Sequence, residues 1–203
     1  MLLVLFLPVF AQAQEIREPT AQPNGHPAVE TGKFFAGAAL ALAVHESGHL
    51  LFDAIFDADV HVKSVHLGPL PFFAIAHQAG LPAREEFTIS SAGFWTQEAT
   101  AEWLLTTRPN IRHEQASFAK GVLAFDVLTS FGYGTVALFK AGPPERDTRG
   151  MSAIGVNERA IGALIMVPAA FDAVRYFFPD TTWAKWASRA AKATTVLLVV
   201  KRP

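Results

Sequence analysis

Cysteine is absent from this chain of 203 residues. Its absence excludes disulfides, thiolate metal sites and cysteine nucleophiles, so any metal must be held by His, Asp or Glu. Charge is scarce as well: 17% of residues are charged, and they sum to −1. No global field draws nucleic acid or an anionic surface to such a chain, and no nucleic-acid partner is expected. Hydrophobic residues reach 51% and mean hydropathy is positive. That balance lies at the apolar edge for a soluble domain and suits a small membrane protein. The length corresponds to one domain with a substantial core.

The opening MLLVLFLPVFAQAQE reads as a secretory signal peptide over residues 1–14. It has a short apolar run followed by Ala11 and Ala13 in an A-x-A-like arrangement, though no basic residue precedes the run. Insertion or export through the secretory route follows from it. Residues 15–32 carry Pro, Gly, Asn and charges without periodicity and read as a flexible lead-in. A single domain is expected over 33–203. Within it, 34–56 and 118–140 are apolar runs long enough to cross a bilayer. Between residues 60 and 90, VHVKSVHLG, PFFAIAHQ and EEFTIS are short β-rich pieces broken by Gly and Pro, which predict one or two hairpins. A more polar helix is predicted over 91–107. AGPPERDTRG, residues 141–150, is the strongest turn signal, and two further helices follow, the first containing Pro168. The expected fold is mainly α, a membrane-associated helical bundle with a small β-hairpin region between its first and second helices. Basic residues occur in nearly every loop, so their distribution does not orient the chain in a membrane.

The segment ALAVHESGHLLFD, residues 41–53, sets two histidines and a glutamate in an otherwise apolar run. Ionisable groups in such a run are costly unless something compensates them. HESGH matches H-E-x-x-H: on a helix, His45 and His49 stand four apart and share a face, so both imidazoles reach one ion. Glu46, one position on, is placed to take a proton from a zinc-activated water and pass it to a leaving amine. The expectation is zinc held by His45 and His49, with Glu46 as the catalytic base.

With its glycine before the second histidine and its apolar helix, HESGH resembles the motif of the site-2-protease group of intramembrane zinc metallopeptidases and their short relatives. VKSVHLGPLPFFAI is similar to the Gly-Pro-containing β segment that follows the first zinc helix in that group. ISSAGFWTQEATAEWLL is similar to its next helix, which opens with an Ala-Gly pair, here Ala92 and Gly93. The resemblance covers roughly residues 34–107. It implies a membrane-embedded hydrolase, a protease acting on a peptide or membrane-protein substrate in or near lipid. The chain departs from the pattern at Phe94 and Gln97, where the family usually has proline and asparagine. It also lacks the late Leu-Asp-Gly motif that carries the family's third ligand.

Three candidates compete for that ligand. Asp147 follows the second long apolar run and opens the next helix. The resemblance to short relatives with an Asp after a polar turn ranks it first, against a plain N-cap role. Asp126, a carboxylate inside an apolar helix, ranks next. Glu98 and Glu102 share a helix face and rank last. Asp53, one turn past His49, is either a partner orienting a ligand imidazole or the polar end of its helix. His61, His66 and His77 read as surface or rim histidines, with substrate contact near the zinc as the alternative. Asp172 and Arg175 are spaced to pair. Trp95, Trp103, Trp183 and Trp186 read as interfacial anchors or core. A zinc-binding membrane protein without proteolytic activity is the rival to a peptidase.

Overall fold

The computed structural model describes residues 26–67 and 70–201; the signal segment and most of the lead-in lie outside them. The first helix, α1 (Pro27–Phe56), begins seven residues before the expected start of the apolar run. Pro27 stands at its first position and Glu30 in its first turn, while His26 caps it through a side-chain bond to the Ala28 amide. These are strong N-terminal signals, so residues 27–32 are helical rather than flexible. Glu30 is tied to Lys33 (2.7 Å) and to the Ser117 hydroxyl (2.6 Å). With 30 residues, α1 is about 45 Å long, more than a bilayer's hydrocarbon core of roughly 30 Å.

A single antiparallel hairpin follows, β1 (His61–Leu67) and β2 (Leu70–Ala76), in the register His61↔Ala76 to Leu67↔Leu70. Its base is pinned by the Gln78 amide donating to the Ala58 carbonyl (2.9 Å). EEFTIS, predicted as a strand, instead lies in α2 (Ala83–Thr107), whose first turn carries Glu85 and Glu86. Every residue from Phe87 to Phe94 is buried. A helix covered on all sides loses its 3.6-residue polarity pattern, so a short apolar alternation there imitates a strand. The chain continues through a 3₁₀ turn (Ile111–His113), α3 (Ser117–Phe139), α4 (Asp147–Met151), a second 3₁₀ turn (Ser152–Ile154), α5 (Glu158–Phe177) and α6 (Thr182–Lys201). The mainly helical architecture with its small hairpin between the first two helices is the expected one. Among the described residues three helices, α1, α3 and α5, are long and apolar enough to cross a membrane. Pro168 lies buried inside α5 without ending it.

Close backbone approaches set the packing. The buried residues of α1 (Gly37, Ala41, His45, Gly48, His49 and Asp53) form one stripe spaced by three and four. At one end of the stripe, a Cβ on Gly37 would lie 2.0 Å from the Phe118 carbonyl oxygen, and one on Gly121 would lie 1.9 Å from that of Phe34. At the other end, a Cβ on Gly48 would lie 2.5 Å from the Ala92 carbonyl oxygen. Glycine at these positions lets α1 sit directly on α2 and α3, which hold the histidine face between them. Behind them, α6 docks on α5 and α2 through a charged cluster. The expected Asp172–Arg175 pair forms (3.4 Å) and is joined by Glu102, Arg189 and Lys192.

Candidate metal centre

His45 and His49 are 2% and 6% exposed, on the α1 stripe that faces α2. They have room there because residue 93 is glycine: a Cβ on it would stand 2.4 Å from His49 Nε2 and 2.6 Å from His45 Nε2. The Ala-Gly pair therefore opens the space that the two imidazoles occupy.

Each imidazole is oriented from behind. His49 Nδ1 donates to the Ile89 carbonyl (2.7 Å) and His45 Nδ1 to the side-chain oxygen of Gln97. The Gln97 amide has its own orientation fixed, since its nitrogen donates to the Asp126 carbonyl (3.0 Å) and approaches the Ser130 hydroxyl (3.4 Å). Both Nδ1 partners only accept, so the neutral rings carry their protons on Nδ1 and present lone pairs at Nε2. The two Nε2 atoms face each other at 3.1 Å, and Asp147 Oδ2 lies 3.4 Å from one and 3.6 Å from the other. Asp147 Oδ2 is buried and has no ordinary hydrogen-bond partner. A cation placed between these three electron-rich atoms would satisfy all of them. Donors at 2.0–2.1 Å from a tetrahedral zinc stand about 3.4 Å apart, which the three separations match. Among the described residues these side chains form a group that could hold a metal ion.

Asp147 reaches the pair from far along the chain because its loop is clamped. Arg146 makes a bidentate pair with Glu158 (2.6 and 2.8 Å) and donates to the Pro143 carbonyl (3.0 Å), while the Thr148 hydroxyl donates to the same Glu158 (3.0 Å). Gly150 presses on α2, where a Cβ would fall 1.9 Å from Ser90 Oγ. Asp147 is thereby the first residue of α4, turned back onto the HESGH face. The Tyr133 phenol stands close enough to interact with the Asp147 carboxylate. Tyr133 also packs edge-on against Phe94, whose ring is edge-on to His45.

Glu46 is half-buried, close enough to His45, His49 and Asp147 to interact with all three electrostatically. Beside the group opens a cleft of about 210 Å³, walled by His49 and Asp147, by Ile75, Ala76 and His77 at the end of β2, and by Glu86 on α2. The Lys63–Glu145 ion pair ties β1 to the 141–147 turn at this cleft.

The remaining candidates do not join this group. Asp126 serves the site through its backbone carbonyl; its carboxylate is buried without a hydrogen-bond partner beside a cavity of about 10 Å³ that Gln97, Glu98 and Asp172 also line. Glu102 belongs to the Arg175, Arg189 and Lys192 cluster. There burial would raise its carboxyl, but Arg175, Arg189, the Thr106 hydroxyl and Lys192 hold it far below the usual range. Asp53 orients neither ligand imidazole: its carboxylate faces His77 Nδ1 at 3.3 Å, and His49 takes a backbone carbonyl instead. His61 and His66 are exposed. His77 is half-buried between Asp53 and Glu86; its hydrogen bond to Glu86 outweighs burial and holds it above the usual imidazole value. Gln97 stood out in the sequence only as a departure from a family pattern. The Ile89 carbonyl and the Arg146–Glu158 clamp had no signal there at all.

Comparison of the chain with protein-family models, with curated proteins and with solved structures finds no match.

Proposed function

We propose that this chain is a zinc-dependent peptidase of the site-2-protease kind, hydrolysing peptide bonds in or near a membrane. The observation that carries the reading is the convergence of His45 Nε2, His49 Nε2 and Asp147 Oδ2 at tetrahedral spacing beside Glu46 and an open cleft. Zinc bound there would supply Lewis acidity, polarising a carbonyl and bringing a water's pKa toward neutrality. Gln97 and Ile89 keep the imidazoles in the tautomer that binds metal. Glu46 stands near both histidines and Asp147, where its carboxylate can take the water's proton and return it to the departing amine. Among the described residues β2 pairs only with β1, so an extended peptide or unwound membrane-protein segment can add along its other edge toward the cleft. Both histidines ride on a helix of membrane-spanning length, in keeping with lipid as the surroundings and a membrane-held substrate.

The test is metal content with hydrolysis. Purified protein should hold about one zinc per chain, and Glu46→Gln should keep it while peptide hydrolysis falls by at least ~10²-fold. Undiminished hydrolysis by Glu46→Gln would remove the proposed base. Zinc binding without hydrolysis by the unaltered protein would favour a non-proteolytic zinc-binding membrane protein.

A further inference from the structure

Besides His49 and Asp147, the same cleft is walled by three titratable side chains from three elements: Asp53 on α1, His77 just past β2, and Glu86 in the first turn of α2. His77 Nδ1 lies 3.3 Å from Asp53 Oδ1 and His77 Nε2 lies 2.9 Å from Glu86 Oε2. An imidazole flanked by carboxylates on both sides carries N–H groups on both nitrogens and a positive charge. The two partners are not equivalent. Asp53 is 3% exposed and both its oxygens lack a hydrogen bond of ordinary geometry among the described residues, so it acts on the ring through charge alone. Glu86 has a 27% exposed side chain and, among the described residues, its other donor is Ser90 Oγ at 3.4 Å. It is the partner that an incoming group can displace. The other cations at the cleft are committed elsewhere: Arg146 to Glu158 and Lys63 to Glu145.

Resting on the peptidase reading above, we propose that His77 is a catalytic residue: its Nε2–H leaves Glu86 and hydrogen-bonds the substrate's carbonyl oxygen as that oxygen becomes negative. When water attacks the carbonyl carbon, a C–O bond forms and the C=O π pair moves onto the oxygen facing His77. The water's proton goes to Glu46; the oxyanion pair then re-forms the C=O bond as the C–N pair leaves on nitrogen, which takes the proton from Glu46 and leaves a carboxyl product and an amine. His77 neither gains nor loses a proton; it supplies a preoriented charged donor where negative charge develops. Buried Asp53 favours the charged ring from its Nδ1 side, and the adjacent Gln78–Ala58 backbone bond (2.9 Å) fixes the chain beside it.

The experiment compares two ligands on zinc-loaded, full-length Glu46→Gln protein by calorimetry. One is an alanine-based phosphinic tripeptide, tetrahedral and anionic at the scissile position; the other is the planar alanine tripeptide. Adding His77→Ala should weaken the phosphinic ligand about 10²-fold, leave the planar peptide within about threefold, and leave zinc content unchanged. His77→Gln, which keeps an N–H donor, should recover most of the loss. Equal weakening of both ligands would reduce His77 to a structural role, and no weakening of either would remove it from the site. Absence of zinc-dependent binding of the phosphinic ligand before His77 is changed would overturn the peptidase reading itself, and this assignment with it.

Discussion

Adding one methyl group at residue 93 should unmake the metal centre while leaving the bundle standing. In Gly93→Ala the new Cβ would lie 2.4 Å from His49 Nε2 and 2.6 Å from both His45 Nε2 and His45 Cε1. Carbon contacts settle at about 3.5–4.0 Å, so each imidazole must retreat by roughly 1 Å. Metal bonds tolerate only about ±0.2 Å, and neither ring can retreat without stretching its bond to Ile89 or Gln97. Two of three ligands are thus displaced by several times the tolerance. Zinc affinity should fall by at least ~10²-fold, about 2.7 kcal/mol. Because the clash is with side chains rather than backbone, helical content by circular dichroism should be unchanged. Gly132→Ala is the control: it sits in α3 with nothing within 4 Å of the new Cβ, and it should bind zinc normally and gain up to about 1 kcal/mol of helix stability. Competition titration with a chelator reads both variants. Wild-type zinc affinity in Gly93→Ala would refute the geometry from which the centre is inferred.

Asp147→Ala should abolish tight zinc binding, since such a site needs three protein ligands, whereas Asp126→Ala, which keeps the backbone carbonyl that holds Gln97, should bind within a few-fold of the unaltered protein; elemental analysis after dialysis separates them. Gln97→Ala removes the acceptor that orients His45 and should weaken zinc by about 10–100-fold, measured by the same chelator competition. Glu102 has a folded-state carboxyl held below its ordinary value near 4.5, so its contribution is fully present above that value and is lost as pH falls through it toward the depressed one. Thermal melts of Glu102→Gln should therefore show lower stability at neutral pH and a shallower decline below about pH 4.5 than the unaltered chain; parallel pH profiles would count against the cluster.

Much of the centre was legible because helical geometry is local. A four-residue spacing puts His45 and His49 on one face whatever surrounds them, and Pro143, Pro144 and Gly142 mark a turn just ahead of Asp147 by backbone chemistry alone. Cysteine's absence narrowed the ligands to imidazole and carboxylate before any fold was known. The choice among carboxylates was decided by packing. Asp126 lies in an apolar helix as a ligand might, yet its carboxylate is buried without a hydrogen-bond partner among the described residues and lies outside the converging group, while the Arg146–Glu158 clamp holds the turn that brings Asp147 to the histidines. The supports of the histidines were equally invisible: a backbone carbonyl at Ile89 has no sequence identity, and a glutamine becomes an imidazole holder only when Asp126 and Ser130 fix its amide. EEFTIS misled for the complementary reason, since a helix buried on every side shows no polar face to betray its period. Local spacing determined which residues could share a site; long-range contacts between α1, α2 and the 141–147 turn determined which converge, because only those contacts set the ångström-scale distances on which a metal centre would depend.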